Sequence, residues 1–257
     1  MKKKIILCAI LSWLAAGTQA QHAHFTTSGT IEFERRANAY AVIGKAINKD
    51  NEAWMQPAFD YYKKNNPQFR VLTAKLVFGD DKTLYTPYEV DLPPNAIMND
   101  SPVLNQFNTI FTDLTAKSYV DQKKVFEQTY LVKDSLRKIK WKITDETRTI
   151  AGYTCRRANG IYLDSIYIVA FYTTCIPVAG GPESFAGLPG MILGVALPHE
   201  NITWFATKVT ESSIMPNDLA PPKKGKTTNE KGLWKILQDA SESWGRVGKL
   251  YLKGFML

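Results

Sequence analysis

The chain has 257 residues, 45% of them hydrophobic, 12% aromatic and 22% charged, with a formal net charge of +8. These proportions exclude a disordered chain, a collagen and a coiled coil, and the length suits one domain.

The first twenty residues read as a secretory signal peptide. Lys2, Lys3 and Lys4 precede a short apolar run, Ile5 to Ala16, and Ala20 carries the small-residue cleavage position. A cut after Ala20 leaves a mature chain, residues 21–257, that is expected in the periplasm. It removes three lysines and no acids, so the net charge falls to +5, chiefly a statement about solubility. No later stretch is long and apolar enough to span a bilayer. Cys155 and Cys175 remain, and an oxidising compartment favours a bond between them. One buried thiol beside an incidental cysteine is the alternative.

Along the mature chain, Ile31 and Phe33 alternate with Glu32 and Glu34, a half-buried strand. Trp54, Ala58, Tyr61 and Tyr62 mark one face of a helix, regular after Pro57. Residues 69–78 form a strand with Leu72, Ala74, Leu76 and Phe78 on one side. A Gly79-Asp80-Asp81 turn returns it through 82–88. Residues 91–106 read as a long loop. Several strands follow, clearest at 138–144, where Ile139, Trp141 and Ile143 face one way and Lys138, Lys140 and Lys142 the other. The lysines are either an anion-binding stripe or the solvated face of an antiparallel sheet.

Asn159-Gly160 is expected to turn a hairpin between 149–158 and 161–176. Its register opposes Cys155 to Asp164, which works against the disulfide. Gly and Pro crowd 177–190, and Pro189-Gly190 fits the centre of a type II turn. Strands at 191–197 and 202–210 follow, then a linker at 216–227. A Thr227-to-Glu230 capping box opens a C-terminal amphipathic helix, about 228–247, with Leu233, Leu237, Ala240, Trp244 and Val247 on one face. The expected fold is therefore β-rich (α+β): a curved antiparallel sheet or half-barrel with a few helices.

Catalytic signatures are missing: no nucleophile elbow, no His-Glu-x-x-His, no phosphate loop and no Cys-x-x-Cys. His22 and His24 could share a metal on an extended segment, but two ligands do not make a site. No cofactor and no nucleic-acid partner is expected.

From Lys138 to Leu193 the chain resembles the GLPGLI family, exported proteins of Gram-negative bacteria. Lys138-Ile-x-Trp141, Ile150-x-Gly-Tyr153-x-Cys155, Ile176-Pro177, Gly181-Pro182, Phe185 and Gly187-Leu188-Pro189-Gly190-Met-Ile-Leu193 carry the likeness. Met191 departs from the name motif, and Cys175 stands where no cysteine is expected. The resemblance implies a periplasmic β-rich protein without an assigned activity. It points to an accessory of the cell envelope, in the setting of outer-membrane TonB-dependent transport, whose partner is an envelope protein or an apolar ligand. Gly187, Leu188, Pro189, Gly190, Pro182 and Phe185 are then partner-binding candidates, and Trp141 and Tyr153 structural ones. The same glycines and prolines equally serve only to turn the chain. A periplasmic hydrolase, a thiol enzyme using Cys155 or a metal-handling protein is the competing reading.

Overall fold

The computed structural model describes residues 24–91, 97–163 and 165–257. The expected signal peptide, the cleavage point expected for it and His22 lie outside the described residues.

Among the described residues, twelve strands form one open sheet, antiparallel except at one edge. In chain order they are β1 Gly29–Asn38, β2 Phe69–Gly79, β3 Lys82–Pro87, β4 Thr109–Asp113, β5 Ser118–Val125, β6 Gln128–Ser135, β7 Lys140–Ile150, β8 Tyr153–Tyr162, β9 Ile166–Thr173, β10 Met191–Leu197, β11 Ile202–Glu211 and β12 Lys226–Thr228. In space the order is β12-β6-β5-β4-β3-β2-β1-β11-β10-β9-β8-β7. Two five-strand meanders, β2–β6 and β7–β11, are thus joined side by side through β1. The sheet curls until its wings approach: Arg137, just after β6, lies 4.7 Å from the Tyr162 ring on β8.

Alternation decides which face is dry. Ile31, Phe33, Arg35 and Ala37 of β1 are buried, as are Tyr119, Asp121, Lys123 and Val125 of β5. Four α-helices accompany the sheet among the described residues: α1 Ala39–Ala46, α2 Glu52–Asn65, α3 Glu230–Ser241 and α4 Gly245–Met256. The concave side is filled by segment 97–106, loop 177–190 and α4, whose Val103, Leu104, Phe185, Leu188, Tyr251 and Phe255 are all buried.

The sheet, the β2–β3 turn and the strands at 191 and 202 match expectation. Asp80 and Asp81 both have positive φ, as a two-residue hairpin turn matched to strand twist requires. Other elements differ. Asn159-Gly160 does not turn: both residues lie inside β8, whose paired neighbours are reached after Ala151-Gly152 on one side and beyond the Tyr162–Ile166 pair on the other. Gly160 is there for space. A Cβ on it would stand 2.7 Å from Ile139 Cγ2 and 2.9 Å from the Trp141 ring, which lies across it from β7. Helix α2 begins before Pro57, which lies inside it in the second turn, where the missing N–H leaves the helical ladder one bond short. Its buried residues are Met55 and Tyr62, while Trp54 and Tyr61 are 63% and 70% exposed. On β7, Ile143 is 40% exposed, because an edge strand is covered on one side only.

Helix α1 carries no turn or charge signal, yet Ala39, Val42, Ile43 and Ala46 repeat at helical spacing and Asn38 caps it. The C-terminal helix is broken in two. The first part stops at Ser241, and Gly245, with φ of 55°, opens the second; Trp244 falls in the break between them, and Ala240, still inside α3, is exposed rather than on the buried face of Leu233 and Leu237. Asn229 caps α3 by accepting from Gly232 N–H at 2.8 Å, and Thr227 sits in β12 instead.

The Leu188-Pro189-Gly190 corner is tighter than a type II turn. Gly190 N–H donates to Leu188 C=O, and Met191 N–H donates to Ile176 C=O. Gly190 has φ of 153°, and a Cβ there would lie 2.1 Å from Thr173 O. Gly187, at φ 93°, faces only the edge of Trp141 at 3.6 Å. Gly190→Ala should therefore cost at least about 2 kcal/mol in urea unfolding, and Gly187→Ala about 1 kcal/mol. Equal losses would contradict the assigned contacts.

Candidate functional site

Four charged side chains, Arg35, Asp121, Lys123 and Glu183, are buried on the concave face, and a fifth, Arg137, is half-buried beside them. Arg35 of β1 is 1% exposed; it donates from Nη1 to Leu104 O (3.1 Å) and from Nη2 to Val103 O (2.6 Å), with its guanidinium 5.3 Å from the Trp204 ring. Lys123 of β5 donates to Phe255 O (2.5 Å) and pairs with Asp121 at 3.3 Å. Arg137 donates to Met256 O at 3.0 Å. Glu183, from loop 177–190, is 2% exposed, and neither of its carboxylate oxygens has a hydrogen-bond partner among the described residues. The wings are tied by Tyr162, which donates to Glu230 Oε1 at 2.5 Å, and by Asp134, which accepts from Glu230 N–H.

Burial sets the electrostatics. Desolvation pushes the Glu183 carboxyl up to about 7, with Arg35 opposing and Asp121 reinforcing the shift. Asp121 is raised by the same burial, against Lys123 and Arg137. Desolvation also lowers Arg35. Glu183 thus exchanges a proton near neutral pH, but it lines none of the clefts described below. Its charge acts on packing rather than on a solvent-borne substrate.

The sequence candidates scatter. In loop 177–190 Pro182, Phe185, Leu188 and Gly190 are buried, and Gly187 and Pro189 are exposed. Leu188, at 2% exposure, is not a presenting tip; it points into the core because the loop folds back along β10, with Gly180 O accepting from Ile192 N–H. Phe185 packs edge-on to Trp204 at 5.7 Å. Trp141 pins this loop by donating from Nε1 to Ala186 O at 3.0 Å, and Tyr153 meets Thr26 Oγ1 at 3.2 Å.

Cys155 and Cys175 are free, the first buried and the second exposed. The register of β8 with β9 opposes Arg156 to Tyr172, so Asp164 is not the partner of Cys155, and Cys175 lies in the turn beyond the end of β9 at Thr173. Burial pushes the Cys155 thiol up to about 11, which makes it a poor nucleophile. His24 pairs with Glu211 at 2.6 Å on the surface, and among the described residues no three His, Cys, Asp or Glu side chains could hold a metal.

An accessible site lies elsewhere. A cleft of about 670 Å³ opens between the β8–β9 turn and the α3–α4 pair. Leu163, Ile166, Trp234 and Leu252 give it apolar walls; Gln238, Glu242, Lys249 and Lys253 give it polar ones. Lys253 is held by Glu200. Trp234 and Leu163 are 40% and 42% exposed. Sequence reasoning missed this site because its walls come from segments some 70 residues apart. It missed the buried charges too, although Arg35 shares the parity of Ile31 and Phe33, and Asp121 and Lys123 that of Tyr119 and Val125.

In native protein produced as residues 21–257, Cys175 should react quickly with a thiol reagent and Cys155 slowly, with both titrating after denaturation without reductant. A denatured chain lacking free thiols would refute the assignment. For Glu183, the folded value near 7 exceeds the reference of 4.5, so between those values the native state binds the extra proton. Stability is then highest below about pH 4.5 as far as this group is concerned, and falls as pH rises towards 7 and levels off above it. Glu183→Gln should flatten the parent's fall in melting temperature between about pH 5 and pH 8. An unchanged slope would exclude a raised Glu183.

Residues 161–194 match a family model described as a protein of unknown function (Porph_ging). That span covers the end of β8, β9, loop 177–190 and the start of β10, well under half of the chain. No curated protein matches. Two crystal forms of PNGF-II, P21 and C2, are similar at 16% and 15% identity with TM-scores of 0.50, over 82% and 85% of this chain. An uncharacterised conserved protein from Thermus thermophilus is similar at 7% identity and TM-score 0.38, over 80% of this chain and 92% of that one. This chain spans 33% of the PNGF-II chain, and the likeness to PNGF-II is one of fold.

Proposed function

We propose that this chain is an exported periplasmic binding protein of the GLPGLI type, an accessory of the cell envelope that holds an apolar or amphiphilic ligand. The cleft of about 670 Å³ beside Trp234 carries the reading, because its size and mixed lining suit a small amphiphile. The basic, apolar and small-residue order of residues 2–20 supports export. Accessory service to an outer-membrane TonB-dependent receptor rests on the family resemblance alone. The concave interior, the other place for a ligand in a curved sheet, is occupied by the chain's own segments.

The perturbed groups favour binding over catalysis. Glu183 and Cys155 are both sealed, so neither offers an acid, base or nucleophile to a substrate in the cleft.

A dansylated undecanoic acid probe tests the proposal. The mature chain should bind it saturably with a blue shift. Leu163→Glu together with Trp234→Glu should weaken binding at least about 10-fold, through lost apolar contact and added negative charge, with little change in melting temperature. No saturable binding, or equal binding by the variant, would overturn it.

A further inference from the structure

Charge is segregated along the chain. Residues 221–257 contain seven lysines and one arginine against three acids. Residues 21–220 contain equal numbers of acidic and basic side chains, so the C-terminal segment holds the whole net charge of the mature chain.

Five of these lysines fall within one short stretch, residues 223–235, and all five are exposed. Lys223, Lys224 and Lys226 are exposed in the lead-in to α3. On α3 itself, Lys231, Trp234, Lys235 and Gln238 repeat at i, i+3, i+4 and i+7 and are all exposed, opposite the buried Leu233 and Leu237. None of these five lysines has an acidic partner within 4 Å among the described residues. Of the segment's acids, Glu230 is bonded to Tyr162, while Asp239 and Glu242 lie C-terminal to the stripe.

We propose that this surface, residues 223–238, docks on an anionic phospholipid bilayer. Three features fit that partner together. The unpaired lysines supply attraction to lipid phosphates, each adding to affinity near a charged surface. Trp234 lies between Lys231 and Lys235 on the exposed face of α3, an amphipathic ring suited to headgroup depth. The apolar cleft opens beside Trp234, so an acyl chain leaving the bilayer would have a wall to follow. No helix among the described residues is long and apolar enough to cross a membrane, and the docking needs none.

Vesicle sedimentation of the mature chain tests this. Vesicles of phosphatidylglycerol mixed with phosphatidylcholine should bind it, and pure phosphatidylcholine should bind it at least about 10-fold more weakly. Lys224→Gln, Lys231→Gln and Lys235→Gln combined should reduce affinity for the anionic vesicles about 100-fold. A control with the same charge loss, Lys138→Gln, Lys140→Gln and Lys142→Gln, should change it less than about 3-fold. The first triple variant leaves every residue lining the cleft in place, so it should retain probe binding, and loss of docking is then distinguishable from failure of the ligand-binding reading. Equal losses by the two triple variants would mean that only overall charge matters and would overturn the assignment. So would equal binding to both vesicle types, no vesicle binding, or tighter binding to soluble polyglutamate than to vesicles.

Discussion

Three inward-facing cations that bond to main-chain carbonyls hold this molecule together. Arg35 grips carbonyls at 103–104, and Lys123 and Arg137 grip those of Phe255 and Met256 at the end of α4. A hydrogen bond to a charged donor contributes about 1.5–3 kcal/mol, more than a neutral one. Its removal leaves either a desolvated charge or an orphaned carbonyl. Here each bond also joins the sheet to a segment remote in sequence. The cup formed by the sheet is therefore filled by its own chain, and segment 97–106 and α4 have one place to sit. Cations near the C-terminus of α4 also meet the negative end of its dipole.

That filling moves any accessible binding function to the rim. A curved sheet invites a ligand into its hollow, yet Phe185, Leu188, Leu104 and Phe255 occupy it. The apolar cleft beside Trp234 is framed by helices and a β-turn, outside the sheet. The regular Gly-Leu-Pro-Gly motif is then a backbone device: Gly190 lets the chain pass within reach of Thr173 O, and Leu188 is the plug that this approach seats.

Period-two alternation made most of the sheet legible, since burial on one face imposes it directly on the sequence. The β2–β3 hairpin was legible for the same reason, with Asp80-Asp81 supplying the turn chemistry. Asn159-Gly160 misled because Gly serves two needs, positive φ and empty space, and its neighbours in sequence do not say which. The need was empty space, created by Trp141 on the adjacent strand. Trp54 and Tyr61 misled because helical spacing identifies a face without saying what covers it. The charges at 35, 121 and 123 were on the page as parity, but a charge on a dry face is recognisable only when its partners are known. For Arg35 and Lys123 those are carbonyls 69 and 132 residues away. The cleft had no local signal.

The central position of β1 governs how the chain can fold. Each meander pairs strands adjacent in sequence, so its contacts are short-range and can form early. β1 follows the same logic with β2, but Gly29 pairs with Glu211, near the far end of the chain. Closing a loop of that size is an entropic toll that grows only logarithmically once the two halves are themselves compact. The β1–β11 seam is therefore the natural last zipper, and until it closes the first half of the chain keeps a bare β1 edge.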